Sequence, residues 1–278
     1  MLLALAAAVA YGTSDFIAGL LSRRASYLLV GAVAQVIAMT GTLVALPFTS
    51  PPPATAGGLA WGAASGAGAA VGTLALYRGL AAGQMAVAAP LSGVGAAALP
   101  AVAGFLLGER PSVPAIVGIV LALPAVWLVS SADRTTRQVG QGRVAAGVVE
   151  GLLAGVGFAV LFVALDRAGG TTGLWPVAAG QVTSAVLLLA AAAGRVRTRP
   201  GIRLTGGAAA VGGLGASAIV LFFFATHRGP LTFAAVLASL YPAVTVLLAR
   251  LALGERMRRL QTVGLALAGA AVVLIVTG

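Results

Sequence analysis

The sequence contains no cysteine, no lysine and one histidine, His227, in 278 residues. Without cysteine there can be no disulfide, thiolate metal site or thiol nucleophile. A single histidine excludes a multi-histidine metal cage, so no metal and no cofactor is expected. Charge is scarce, at 8% of residues, where a soluble domain carries about 25%. No GxxxxGK[ST] loop is present to cradle a nucleotide, so ATP is not the energy source within this chain. Intramembrane enzymes, such as a lipid phosphatase, need acids and arginines gathered at one site. Here four of the six acids lie at loops or span ends, with no histidine among them, and an enzyme is not expected. The formal charge of +11 comes from 17 basic residues, all arginine, placed between apolar runs rather than on one patch. That distribution excludes a nucleic-acid partner and suits the loops of a protein in a lipid bilayer.

What remains is apolar. Hydrophobic residues make up 60% of the chain and the mean hydropathy is +1.05. Runs of about 18–24 residues recur throughout, each long enough to cross a hydrocarbon core of about 30 Å. Ten spans are predicted, at 2–21, 27–48, 57–77, 84–107, 112–130, 144–165, 173–194, 205–226, 231–253 and 260–277. The first lacks a basic start and runs on through Asp15 to Leu21, so it reads as a retained span rather than a signal peptide. Proline-rich SPPP at 50–53 stops a helix. The expected class is an all-α polytopic membrane protein.

Gly108-Glu109-Arg110 recurs as Gly254-Glu255-Arg256, a shift of 146 that also carries Gln35 onto Gln181, Gly83 onto Gly229 and Phe16 onto Phe162. The rarer Gln, Glu and Arg matches carry the weight in so alanine-rich a chain. The ten transmembrane helices therefore divide into two five-helix repeats, 1–143 and 144–278. Five crossings leave the second copy starting on the opposite side, so the repeats are inverted, an arrangement recurrent among secondary transporters. The Gly-Glu-Arg turns themselves are structural on this reading: glycine ends a helix and the charged pair stays at headgroup depth.

Thirteen arginines fall in loops after odd-numbered spans, from Arg23 to Arg259, and three, Arg110, Arg167 and Arg228, in the others. Arg250 lies inside span 9 near the first side and can snorkel out. Basic loops stay cytoplasmic, which puts both termini outside.

Ionisable groups at membrane depth are costly and point to function. Asp15 and Glu150 both lie about 10–12 Å inside the arginine-rich face by helical rise. They point to a vestibule that binds a cationic group or a proton; the alternative is a local pair with arginines such as Arg23 or Arg24. Tyr11 is one turn before Asp15, on the same helix face. Gln35 and Gln181 would face the two-fold axis from both sides, as substrate contacts or as interhelical hydrogen bonds. Tyr77 and Tyr241 are candidate gate or cavity aromatics, the alternative being packed aromatics with a bonded hydroxyl, and Ser92 and Ser239 are further polar candidates. Pro90, Pro100 and Pro242 should kink spans 4 and 9, as gating points or static bends. Trp61, Trp127 and Trp175 fall near span ends, as interfacial aromatics do. Gly62/Gly66 and Gly68/Gly72 have the spacing of close helix contacts.

The stretches AYGTSDFIAGLLSRR at 10–24, PLSGVGAAALPAVAGFLLGER at 90–110 and ASLYPAVTVLLARLALGER at 238–256, in this repeat frame, resemble EamA-type members of the drug/metabolite transporter superfamily. The resemblance covers essentially the whole chain. It implies an alternating-access carrier, commonly an exporter of amino acids, metabolites or drugs, with a cavity between spans 1–4 and 6–9 and spans 5 and 10 at the periphery. It also implies an inner (plasma) membrane location in a bacterial cell. Many such relatives have cytoplasmic termini. The expected partners are a small organic solute and the proton. With both repeats in one chain, a monomer can be complete. A flippase for a lipid-linked substrate is the alternative.

Overall fold

The computed structural model describes residues 1–22, 25–49, 54–81, 85–130, 141–169, 173–193, 195, 202–253 and 259–277. Among these residues every regular element is helical. The helices are α1 (Leu2–Ser22), α2 (Tyr27–Ala45, continued by a 3₁₀ turn Leu46–Thr49), α3 (Ala56–Ala81), α4 (Met85–Leu106), α5 (Val113–Ser130) and α6 (Gln141–Arg167). They continue with α7 (Trp175–Ala192), α8 (Ile202–Thr226), α9 (Leu231–Ala238), α10 (Tyr241–Leu253) and α11 (Arg259–Thr277). Among the described residues, eight segments are long and apolar enough to cross a membrane, with Leu91–Leu106 and Val113–Val129 as shorter apolar helices. Helix is the form that satisfies every backbone polar group within its own segment, as lipid demands. The outer surface is itself apolar: Leu106 is 83% exposed, Val113 74% and Leu251 71%. In lipid such side chains are solvated rather than stranded.

Span 9, predicted continuous over 231–253, is divided. α9 stops at Ala238, and α10 begins at Tyr241. Pro242 lacks the amide proton that would bond the Ala238 carbonyl. The chain tightens there instead, with Leu240 N donating to Leu237 O at 3.2 Å and Ala243 N to Leu240 O at 2.9 Å.

Close helix contacts set the arrangement. α3 packs on α6 and α7, α8 on α1 and α2, α4 on α6 and α9, α1 on α9 and α10, and α5 on α11. Gly66 of α3 abuts the Gly180 backbone of α7, and Gly212 of α8 abuts Ala34 of α2; a methyl at either glycine would meet a backbone carbonyl. Gly62 likewise lies against Pro176, and Gly68 against Gly157. Leu21 touches Gly207, Gly72 touches Phe158, and Gly151 touches Ala88. These pairs put the C-terminal ends of α1, α3 and α7 with the N-terminal ends of α2, α4, α6 and α8. This end carries the arginine-rich connections. The opposite end holds the end of α4 and the start of α9. The core between them includes fully buried Phe222, Phe223, Leu165, Leu231 and Leu237, with Phe162 stacked on Phe222 at 4.3 Å.

Candidate functional site

A cavity of about 180 Å³ lies among α1, α2, α3, α4, α6, α7, α8 and the start of α10. None of its described lining residues comes from α5 or α11, which pack on each other. The lining spans the middle of the bundle, with Tyr11 to Asp15 at the middle of α1 and Phe158 to Phe162 past the middle of α6, and it extends toward the arginine-rich end along α3 (Ala69 to Leu76) and α7 (Gln181 to Leu188).

Asp15 is the only charged side chain among the described lining residues. It lies deep among the helices yet its side chain is exposed, because it faces the cavity rather than a packed neighbour. No described cation pairs with it; Arg23 and Arg24 lie outside the described residues. Tyr11, one turn earlier, meets Tyr241 with ring centroids 6.3 Å apart and planes tilted by 59°. The Tyr11 hydroxyl is buried without a hydrogen-bond partner. Tyr241 is held from both sides. Ser92 of α4 hydrogen-bonds its side chain, and Thr245 Oγ1 donates to Tyr241 O at 3.2 Å and to Gly12 O at 3.0 Å. Gly12 has no side chain to keep α1 off this break, where a Cβ would meet the Tyr241 carbonyl.

Gln35 and Gln181 meet across the α2–α7 contact. Gln35 Nε2 donates to Gln181 Oε1 at 2.5 Å and lies 3.4 Å from Gln181 O. Gln181 is 2% exposed, and its own Nε2 has no partner. The pair therefore offers one free amide donor, fixed in orientation by the bond its oxygen accepts.

Other candidates lie elsewhere. Glu150 is not among the lining residues, and its Oε2 is buried without a partner. Ser239 is buried and donates to Ala235 O at 2.5 Å. The side chains of Tyr77 and Pro90 lie outside the described residues, and α4 runs unbroken through Pro100. Ser14, Thr73, Ser184, Phe158 and Phe162 line the cavity without having been singled out from the sequence. Phe162 had a signal, since the shift of 146 matches it to Phe16.

At the opposite end the first Gly-Glu-Arg turn ties the end of α4 to the start of α9. Gly108 ends α4 with φ 97°, and Glu109 N returns to Gly104 O at 3.0 Å, a glycine-ended helix terminus. The Glu109 carboxylate then accepts from Leu231 N at 2.5 Å and from Thr232 N at 3.0 Å. It caps the free amides at the start of α9, where a negative charge is favoured. Thr232 Oγ1 adds a bond to Ala101 O at 3.3 Å. Arg110 follows in the turn; Gly254, Glu255 and Arg256 lie outside the described residues.

The model of the EamA-like transporter family matches residues 1–131 and 145–277. No curated protein matches the chain. Twenty chains of solved structures match. One, titled only "Crystal structure of protein", is 18% identical with a TM-score of 0.80, over 99% of this chain and 96% of its own. That likeness is one of fold.

Proposed function

We propose that this chain, which belongs to the EamA-like transporter family, is a secondary active exporter of small organic solutes working by alternating access. The chain is an integral multi-pass membrane protein. One observation carries the reading. The cavity lining on α2, α3 and α7 extends from mid-bundle toward the arginine-rich end, while at the other end Glu109 holds the start of α9. A site facing one side, with a discrete contact on the other, is what a carrier in one of its two states requires. Basic ends face the cytoplasm, so this state is the loading state of an exporter.

The packing supports two inverted five-helix repeats, 1–143 and 144–278. Shifting the Gly66–Gly180 contact by 146 gives the Gly212–Ala34 contact. The same shift turns Gly118 against Ile275 into Gly264 against Val129. The Gln35–Gln181 bond maps onto itself. Equivalent helices α3 and α8 begin at opposite ends, and so do α1 and α6. The two stretches matched by the family model fit this division. Both repeats line the cavity, so one chain supplies a whole site, and Asp15 is its substrate- or proton-binding acid.

The test compares solutes in medium and cells for wild type, empty vector and Asp15→Asn at matched expression. One solute class should accumulate outside with wild type alone. If no solute moves with wild type in cells or in proteoliposomes bearing an imposed proton gradient, the carrier reading fails.

A further inference from the structure

The cavity combines one acid, several aromatic faces and two unused hydrogen-bonding atoms, and these restrict what can occupy it. We infer that its ligand is a small organic monocation: a protonated amine attached to a single flat apolar ring, with a neutral hydrogen-bond acceptor such as a carbonyl. The inference rests on the carrier reading in taking this cavity as the substrate site.

Charge argues first. Asp15 is the one formal charge on the described cavity wall, and no described cation neutralises it. A carboxylate facing a confined space is stabilised by a cation entering beside it. A free amino acid would satisfy Asp15 with its ammonium group. Its own carboxylate would find no cation among the described lining residues, and an unpaired charge at membrane depth is costly. The site therefore discriminates an amine from the corresponding amino acid.

The aromatic faces argue second. Tyr11 and Tyr241 meet at 59°, and Tyr11 sits one helical turn from Asp15. Tilted rings beside a carboxylate favour a cation held partly over a π face. Phe158 and Phe162 line the wall on α6 and supply apolar contact for a ring. Size fits: an apolar cavity of about 150 Å³ holds benzene, and this one encloses about 180 Å³.

The hydrogen bonds argue third. Gln181 Nε2 and the Tyr11 hydroxyl are buried and without partners, although buried polar atoms are ordinarily satisfied. With Gln181 Oε1 accepting from Gln35 Nε2, the Gln181 amide presents its Nε2 as a donor. A ligand carbonyl completes it; a second amine does not.

The test is binding to the purified full chain by calorimetry, at neutral pH, with four one-ring probes. Phenylalaninamide carries the amine and the carbonyl, 2-phenylethylamine the amine alone, phenylalanine is the zwitterion, and 2-phenylethanol is neutral. Phenylalaninamide should bind best, with 2-phenylethylamine next, and phenylalanine and 2-phenylethanol weaker by roughly tenfold or more. Asp15→Asn should erase the preference for amines over 2-phenylethanol. Gln181→Leu should erase the advantage of phenylalaninamide over 2-phenylethylamine while amine binding persists. If a variant does not fold, the probe series on wild type decides. Phenylalanine binding as tightly as its amide, or amine preference surviving in Asp15→Asn, overturns the inference. Counterflow in proteoliposomes separates it from the carrier reading. Amine binding without flux keeps the ligand class and refutes the carrier. Flux of an amino acid that phenylalaninamide does not inhibit keeps the carrier and refutes the class.

Discussion

Removing the Glu109 carboxylate should open the end of the bundle opposite the arginine-rich face. In the structure Glu109 accepts two backbone amides at the start of α9, at 2.5 and 3.0 Å. A hydrogen bond to a charged group contributes about 1.5–3 kcal/mol, and a negative charge at a helix N-terminus adds about 0.3–1 kcal/mol. Allowing for water that re-solvates the amides at this edge, Glu109→Ala should cost the closed state about 2–3 kcal/mol. A state in which α9 has parted from the α4–α5 turn loses nothing. At 1.4 kcal/mol per tenfold, the equilibrium between the two states moves by roughly 30- to 150-fold. The absence of cysteine makes the assay direct. Ala96 lines the cavity from α4 and is 1% exposed, so Ala96→Cys places one thiol behind the closed end. A membrane-impermeant maleimide applied from the Glu109 side should label the Ala96→Cys, Glu109→Ala double variant much faster than Ala96→Cys alone. Glu109→Gln, which keeps one acceptor oxygen, should fall between. Unchanged labelling from that side, in protein that elutes as a single folded species, would refute Glu109 as the closing contact.

Three further outcomes are expected. Gly66→Val drives a side chain into the Gly180 backbone and should destabilise by about 1–3 kcal/mol or more, read as a lower unfolding temperature; Gly213→Val, with open space around it, should leave that temperature nearly unchanged. Gln35→Leu strips Gln181 Oε1 of its donor and should cost about 1–3 kcal/mol, whereas Gln35→Leu with Gln181→Leu should recover stability and still lose transport. Gly108→Ala forces a side chain to adopt φ 97° and should cost about 1–2 kcal/mol in thermal stability.

Much of the helical framework was legible before the structure, because helix formation in lipid is a local requirement. A run of apolar residues must satisfy its own backbone within the segment, whatever its neighbours do. Hence the helix ends fall within a few residues of the expected ones, apart from the division at Pro242. That proline raised the expectation of a bend, but a kink and a break have the same local chemistry. Which one forms depends on Thr245 and Gly12 docking the second piece onto α1.

Membrane residence, the rough course of each helix and the matched positions of Gln35 and Gln181, 146 residues apart, could all be read from the chain alone. Composition, run length and the identity of rare residues suffice for that. Packing was needed to place Asp15 on a cavity wall and Glu150 off it, and to set Glu109 on a helix start 122 residues away. The difference is one of helix rotation. Depth along a helix follows from counting residues, but the neighbour a side chain meets depends on how each helix is turned and what packs beside it, here set largely by contacts between backbones at glycine.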